Sequence, residues 1–206
     1  MSLKRKFTYT LLMFTFFSFG YFLIQRLVDS SDISLLVEID KAIPLMPEFV
    51  WIYHSLPLLI VLVMVVLIKR ADIFWRTFCS CALSSTIMLL CFVALPIEYP
   101  RPEISSTDIS SLLLVATHKL DYGGLNTCPS GHVAFACLMF LAAVRTQWVR
   151  REPWMGRVFL LWTIGIMLST LVLKQHFIAD VLAGVFLAAF SFYASKFVVK
   201  RAPAAN

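Results

Sequence analysis

The chain alternates long apolar runs with short polar connections. Six runs approach the roughly 20 residues that an α-helix, rising about 1.5 Å per residue, needs to cross a bilayer. They cover residues 7–25, 50–68, 78–95, 131–148, 158–173 and 177–199. The pattern predicts an all-α fold, a polytopic membrane helix bundle with six transmembrane helices.

The composition is that of a membrane protein. Of the 206 residues, 60% are hydrophobic and only 15% are charged, and the mean hydropathy is +0.83. A soluble domain of this size carries more charge. Because spans and connections use nearly all residues, we expect one membrane-embedded domain over residues 1–206. No small-residue cleavage site follows the basic residues 4–6, which predicts a retained first span.

The charges predict an orientation, since Lys and Arg collect on the cytoplasmic side of a membrane. Thirteen of the eighteen Lys and Arg residues fall at one set of span ends, and ten of the twelve acidic residues fall at the other. We therefore expect both termini in the cytoplasm. A chain this short with few loops is typical of a bacterial inner (plasma) membrane protein. The topology explains the net charge of +6, which gives no reason to expect nucleic-acid binding.

Two polar clusters interrupt the apolar pattern. Residues 128–132 read Cys-Pro-Ser-Gly-His, and residues 169–180 contain Ser-Thr, Lys-Gln-His and an aspartate. Ionisable groups are costly beside a bilayer and usually mark function. The predicted topology puts both clusters and the loop 96–129 on the face opposite the cytoplasm. We therefore expect an enzyme with one site, made by three segments and facing the periplasm or the extracellular space.

At these residues the chain resembles the type 2 phosphatidic acid phosphatase superfamily, as a variant with a Lys-Gln-His third motif. The resemblance covers about residues 99–184, and we take 96–184 as the catalytic core. The positions that match the family's three motifs are Arg101, Pro102, Pro129, Ser130, Gly131, His132, Ser169, His176 and Asp180. The resemblance implies an integral membrane lipid phosphatase or phosphotransferase.

Two cationic residues of the family pattern are missing. Ala94 stands where the first motif has lysine, and Thr170 stands where the third motif has arginine. Lys174, two residues before His176, is the expected substitute. This form of the third motif resembles a branch with lipid phosphotransferases similar to inositol phosphorylceramide synthases.

The catalytic roles follow from what attack on a phosphoryl group needs. His176 and Asp180 are four residues apart, on one helical face, so the carboxylate can accept the ring N–H and leave the other nitrogen basic. His176 is therefore the expected nucleophile, forming a phosphohistidine, and Asp180 orients it. His132 is expected to protonate the leaving oxygen and then to activate water.

Four residues are expected to bind the phosphate. Ser130 and Gly131 lie where a loop enters a helix, and amide donors and the helix dipole there favour an anion. Arg101 offers a planar fork to two oxygens, whereas Lys174 acts as a point charge. We expect no cofactor and no metal, since the sequence has no carboxylate cluster of the kind that Mg²⁺ prefers.

Three hypotheses for the function remain open. The first is a metal-independent phosphatase that hydrolyses a lipid phosphomonoester or pyrophosphate whose tail enters sideways between helices. The second is a phosphotransferase, in which a lipid or sugar hydroxyl intercepts the phosphohistidine. The third is a non-catalytic lipid-binding membrane protein. The expected partners are a lipid phosphate or pyrophosphate and the membrane lipids.

Each polar feature also has a structural interpretation. Pro-Ser-Gly is ordinary turn chemistry, the pair His176 and Asp180 can be a hydrogen bond between helices, and Arg101 can be an interfacial anchor. Residues 30–46 are either a lid over the site or a plain connector. The outlying polar residues include two expected at a structural or rim position, His54 and His118, and two expected to shape the entrance, Asp121 and Asn126.

Overall fold

A computed structural model describes residues 1–28, 33–121 and 124–199 of the chain, and within those ranges every regular element is a helix. The α-helices are α1 (Leu3–Leu27), α2 (Glu38–Ala42), α3 (Val50–Tyr53), α4 (Leu56–Ile60), α5 (Ala71–Ala94), α6 (Ile109–Leu120), α7 (Gly131–Ala143), α8 (Gln147–Arg151), α9 (Pro153–Val172) and α10 (Ile178–Val199). A 3₁₀ turn, Pro47–Phe49, precedes α3, and a π-helical segment, Val61–Leu67, follows α4. The predicted all-α class is confirmed for the described part of the chain.

Five helical stretches in the described ranges are long and apolar enough to cross a membrane. They are Leu3–Leu27, Pro47–Leu67, Ala71–Ala94, Pro153–Val172 and Ile178–Val199. The described part of the chain is thus a multi-pass helical bundle with five candidate spans, and the predicted count of six stays a prediction. The predicted run without a helix of that length is 131–148, which contains the 13-residue α7, a turn, and the start of α8, whose N-cap is Thr146. The orientation of the termini stays a prediction.

Helix α7 lies at the centre of the bundle. It packs against α4, α5, α9 and α10, and most of its residues are buried. Small side chains such as Ala134, Ala136 and Ala142 face these neighbours and let the helices come close. A helix enclosed in this way is apolar on all sides, so its sequence looks like that of a lipid-facing span.

The second predicted span, 50–68, is broken where the sequence predicts one helix. The helix α3 ends at Tyr53, and α4 begins after a turn at His54 and Ser55, with Pro57 in its first turn. Proline has no N–H to donate, so it suits the start of a helix and not its middle. The π-helical segment then ends with the N–H of Ile68 donating to the carbonyl of Val63 at 3.0 Å.

Helix α1 is fixed to the bundle at both of its ends. Near its start Lys6, only 3% exposed, donates from Nζ to the carbonyl oxygens of Val65 (3.4 Å) and Ile68. Near its end Tyr21 and Gln25 donate to the carboxylate of Asp121. A cavity lies along α1 between these two anchors.

The N-terminal ends of α7 and α10 lie side by side. The backbone N–H of Ser130 donates to the carbonyl oxygen of Asp180 at 3.1 Å. One turn further along α10, a Cβ added to Gly184 would stand 2.8 Å from the carbonyl oxygen of Ser130 and 3.1 Å from Cβ of Val133. Glycine at this position permits the close approach that brings the two polar clusters together.

We predict that Gly184→Ala moves α10 away from α7, because the methyl group meets backbone that cannot yield. Overpacking of this kind costs about 1–3 kcal/mol. The free energy of unfolding in detergent is expected to fall by that amount. Gly156→Ala in α9 is the matched control, since its added Cβ would have only an ordinary 3.5 Å contact with Val149. An equal free energy of unfolding for the two variants would contradict the close packing of Gly184 against the start of α7.

Candidate active site

The three polar segments converge at one end of the bundle. The loop before α6 reaches the third cluster, where Nη1 of Arg101 donates to the carbonyl oxygen of Lys174 at 2.6 Å. The ring of Tyr99 in the same loop stacks on Phe177, with centroids 4.4 Å apart. The cluster at 128–132 contacts the third cluster through the backbone hydrogen bond from Ser130 to Asp180. The predicted meeting of three distant segments is therefore seen in the contacts.

Asp180 is fully enclosed within the site. It is 0% exposed, and its Oδ2 lies 3.4 Å from Nδ1 of His176 and accepts the backbone N–H of Phe177 at 3.0 Å. The contact with Phe177 closes the first turn of α10, as an acidic residue at this position commonly does. The same carboxylate thus caps the start of the helix and lies within hydrogen-bonding distance of Nδ1 of His176.

His132, the second residue of α7, faces the same cavity as His176. Its ring stacks on Tyr53, with centroids 3.8 Å apart and an angle of 19° between the planes. Sequence analysis missed Tyr53, because the contact joins residues 79 positions apart and has no local pattern. His54 also lines the cavity, where its Nε2 lies 2.9 Å from Oγ1 of Thr117.

The cavity has a volume of about 490 Å³, within the range usual for small-molecule sites. Its polar end holds His54, Thr117, Asp121, Asn126, Thr127, Gly131, His132, Gln175 and His176. Its apolar remainder runs between α1 and α4 and includes Phe7, Leu11, Phe14, Phe17, Phe22, Ile60, Val61, Phe92 and Phe135. Within the described ranges, no group of three or more His, Cys, Asp or Glu side chains is placed to hold a metal ion.

Ser130 and Gly131 lie at the start of α7. The Ser130 hydroxyl accepts the backbone N–H of Val133 at 3.4 Å and so caps the helix. Gly131 lines the cavity, and a Cβ added to it would have only ordinary contacts, the nearest at 3.5 Å from Phe17. The unpaired amides of the first turn of α7 are the donors that this end offers to an anion.

The guanidinium of Arg101 is engaged outside the cavity lining. It forms an ion pair with Oδ2 of Asp121, while Oδ1 of Asp121 accepts bonds from Tyr21 and from Gln25, the latter at 2.7 Å. Arg101 itself lines a second, outer hollow beside α6. Arg101 is not among the residues that line the cavity, and its ion pair with Asp121 offsets its positive charge there.

Lys174 also has another partner. Its backbone is in the left-handed region, with φ of 56°, and its Nζ donates to the carbonyl oxygen of Asp40 at 2.7 Å. Partial burial lowers the pKa of Lys174, and the charge of Asp40 opposes that shift. Lys174 is not among the residues that line the cavity. Its predicted role as a phosphate ligand stays a prediction.

The segment predicted as a lid or connector is attached to the site by Asp40. Of residues 30–46, positions 30–32 lie outside the described residues. The carboxylate of Asp40, 2% exposed, accepts the N–H of Ile178 at 2.9 Å and that of Val37 at 3.1 Å. The backbone N–H of Met46 donates to the carbonyl of Val172 at 2.9 Å. The segment therefore packs across the end of α9 and the start of α10.

Two further polar residues of the cavity lie next to the motif residues. Asn126 and Gln175 are each 2% exposed. Asn126 has φ of 64°, a conformation that asparagine tolerates better than most residues. Sequence analysis expected Asn126 at the entrance and assigned no role to Gln175. The only signal for Gln175 was its position between Lys174 and His176.

Cys128 lies beside the buried carboxylate. Burial raises the pKa of the Cys128 thiol to about 12, and the negative charge of Asp180 adds to the shift. The thiol is therefore protonated at neutral pH. All five cysteines of the chain are free thiols.

A family model described as PAP2 superfamily matches residues 32–194 of the chain. No curated protein and no solved structure matches this chain. The matched region contains every motif residue of the site, and it leaves out α1.

We predict that alkylation of Cys128 accelerates about tenfold per pH unit up to about pH 10 without levelling off, because only the thiolate reacts. The measurement uses a variant in which Cys79, Cys81, Cys91 and Cys137 are replaced by alanine. An ordinary thiol, with a pKa near 8.5, levels off soon above that pH. Asp180→Asn removes a negative charge, lowers the pKa and speeds the reaction at a fixed pH. An alkylation rate that stops rising below about pH 9 in the variant with only Cys128 would contradict the raised pKa of this thiol.

Proposed function

Because this chain belongs to the PAP2 superfamily, we propose that it cleaves a lipid phosphate ester through a phosphohistidine on His176. One observation carries the proposal. A single cavity has both His132 and His176 at its polar end and continues between α1 and α4 with apolar walls. A lipid has the same division, with a reactive phosphate at one end and an apolar chain at the other.

The first chemical step is attack by Nε2 of His176 on phosphorus. The ring donates its Nδ1 proton to Asp180, 3.4 Å away, so the free electron pair is on Nε2. The N–P bond forms as the bond from phosphorus to the leaving oxygen breaks, and His132 gives that oxygen a proton. Low exposure of Asp180 strengthens its interaction with the imidazolium that develops.

The second step regenerates the enzyme. His132, now neutral, takes a proton from water, whose oxygen attacks phosphorus while the N–P bond breaks. Stacking on Tyr53 fixes the plane of the His132 ring, so that proton transfer in both steps occurs in one geometry. The start of α7 supplies backbone donors for the phosphoryl oxygens.

The lipid substrate proposed first is a phosphomonoester or a pyrophosphate, with water as the acceptor. The apolar walls support a lipid over a soluble phosphate, because a soluble substrate would leave the aromatic surface in contact with water. We propose that the chain of such a lipid enters sideways from the bilayer where α1 and α4 line the cavity. The lipid can then reach the site without leaving the membrane in which the protein lies.

The second candidate is a phosphotransferase that passes the phosphoryl or phospho-head group to a hydroxyl. The charges of the cavity favour it. Arg101 is neutralised by Asp121, Lys174 is bonded to Asp40, and the remaining polar lining is mostly uncharged. A phosphomonoester or pyrophosphate brings more negative charge than a phosphodiester and gains more from cations. A diester donor therefore suits this lining better.

We predict that the detergent-purified protein releases phosphate from at least one lipid phosphate or pyrophosphate with EDTA present. His176→Ala abolishes release because it removes the nucleophile, and Asp180→Asn slows it by about 10²-fold or more. His118→Gln is the matched control, since His118 lies outside the cavity lining and contacts the carbonyl of Leu173 at 3.2 Å. Thermal unfolding of each variant separates loss of chemistry from loss of fold.

The other hypotheses give different results in the same assay. A phosphotransferase releases little phosphate and forms a new product only when a lipid or sugar hydroxyl is added. A non-catalytic lipid-binding protein forms neither product, and His176→Ala leaves its cellular function unchanged. Activity that persists in a folded His176→Ala variant would overturn the phosphohistidine.

A further inference from the structure

We propose that Asn126 and Gln175 form a subsite for a neutral hydroxyl or amide group, carried either by the lipid that is cleaved or by the acceptor. The proposal rests on the proposed function and names the chemistry that the polar end of the cavity selects. It concerns a group beside the phosphate and not the phosphate itself.

Both side chains have a polar atom without a partner among the described residues. These atoms are Oδ1 of Asn126 and Nε2 of Gln175, each with almost no contact with solvent. Buried polar groups nearly always have hydrogen-bond partners, and an unmade bond at such a group costs free energy. Both residues line the cavity, so a molecule bound there would supply the missing partners after a small rotation of each side chain.

The surrounding structure holds both residues at the reacting end of the cavity. Nδ2 of Asn126 donates to the carbonyl oxygen of Tyr21 in α1 at 3.3 Å, which directs Oδ1 away from that contact. The backbone N–H groups of Gln175 and His176 share the carbonyl oxygen of Thr170 as acceptor, at 3.0 and 3.2 Å. Gln175 is thereby fixed to the same turn as the nucleophile.

The two atoms select a ligand by their opposite hydrogen-bonding characters. Nε2 of Gln175 donates and Oδ1 of Asn126 accepts. An ionised phosphate has only acceptor oxygens, so it can satisfy Gln175 but is repelled by Asn126. An O–H group, or an amide with its N–H and its carbonyl, offers both a donor and an acceptor. The subsite therefore fits such a group and disfavours a second phosphate.

Asp121 does not replace Asn126 in this role. It lines the cavity too, but both of its carboxylate oxygens already accept bonds, from Arg101 on one side and from Tyr21 and Gln25 on the other. Gln175 and Asn126, unlike Asp121, each keep a side-chain atom without a partner among the described residues.

The first experiment measures binding, so it does not depend on turnover. The probes are 1-oleoylglycerol 3-phosphate and its 2-deoxy analogue, which have the same chain and the same phosphate. In a His176→Gln background we expect the hydroxyl-bearing lipid to bind about tenfold more tightly. Gln175→Met removes the donor and Asn126→Gly removes the acceptor without straining the backbone, and each is expected to erase most of that preference.

The matched control is Gln147→Met, the same change at an exposed position of α8. It is expected to leave the preference unchanged. Thermal unfolding shows which variants are folded, and Gln175→Glu keeps the size of the side chain and removes its donors if Gln175→Met does not fold. The KM of the native chain for the two lipids is a second measure if the His176→Gln background fails.

The second experiment identifies the source of the hydroxyl. With a labelled donor lipid, the native chain divides the phosphoryl group between water and added glycerol. We expect the fraction of phosphoryl groups transferred to glycerol to fall about tenfold in Gln175→Met and not in Gln147→Met if the subsite binds the acceptor. If Gln175→Met loses the preference for the hydroxyl-bearing lipid while the fraction transferred to glycerol stays constant, the subsite binds the donor lipid.

Equal affinity for the two lipids, with a glycerol share that Gln175→Met does not change, would overturn the subsite and leave water as the partner of both side chains. If the native chain turns over no lipid, the proposed function fails, and the binding comparison alone decides the subsite. In that case equal affinity overturns it and a preference that depends on Gln175 supports it.

Discussion

The enclosed carboxylate of Asp180 is the interaction on which the site depends. It orients His176 and accepts the backbone N–H of Phe177, while the carbonyl of the same residue holds the backbone of Ser130. One residue therefore joins the start of α10 to the start of α7. A charge with no exposed surface is costly unless it is hydrogen-bonded, so the structure around it must be kept in place. Gly184 permits this by leaving room between the two helices.

A second constraint is the shortage of free positive charge near the cavity. Asp121 holds Arg101 and also accepts bonds from Tyr21 and Gln25 in α1, and Lys174 is bonded to Asp40. In a low-dielectric setting the ion pair of Arg101 with Asp121 is strong, and separating it to bind a phosphate costs energy. Lys174 would have to give up its hydrogen bond to the backbone carbonyl of Asp40. The cavity thus presents neutral hydrogen-bonding groups and the amides of α7. Helix α1, outside the family match, closes the apolar part of that cavity.

The lengths of the apolar runs and the order of the family's motifs were readable from the chain. The helical bounds within the predicted spans were not. Helix α7 looks like a lipid-facing span in sequence, and only the structure shows that it has 13 residues and is enclosed by four neighbouring helices. The second span breaks at His54 and Ser55, although Pro57 was visible. A proline permits both a kinked helix and a new start, and packing decides between them.

The sequence by itself determined the helical class, the membrane setting, the family and the order of the motif residues, because apolar length and motif spacing are local properties of a chain. The tertiary structure decided which charges stay free, which aromatic ring stacks on His132, and that Asn126 and Gln175 face the same cavity. These facts join residues far apart in the chain. They depend on how the helices pack, and local pattern does not encode the partner of an arginine or the wall of a cavity.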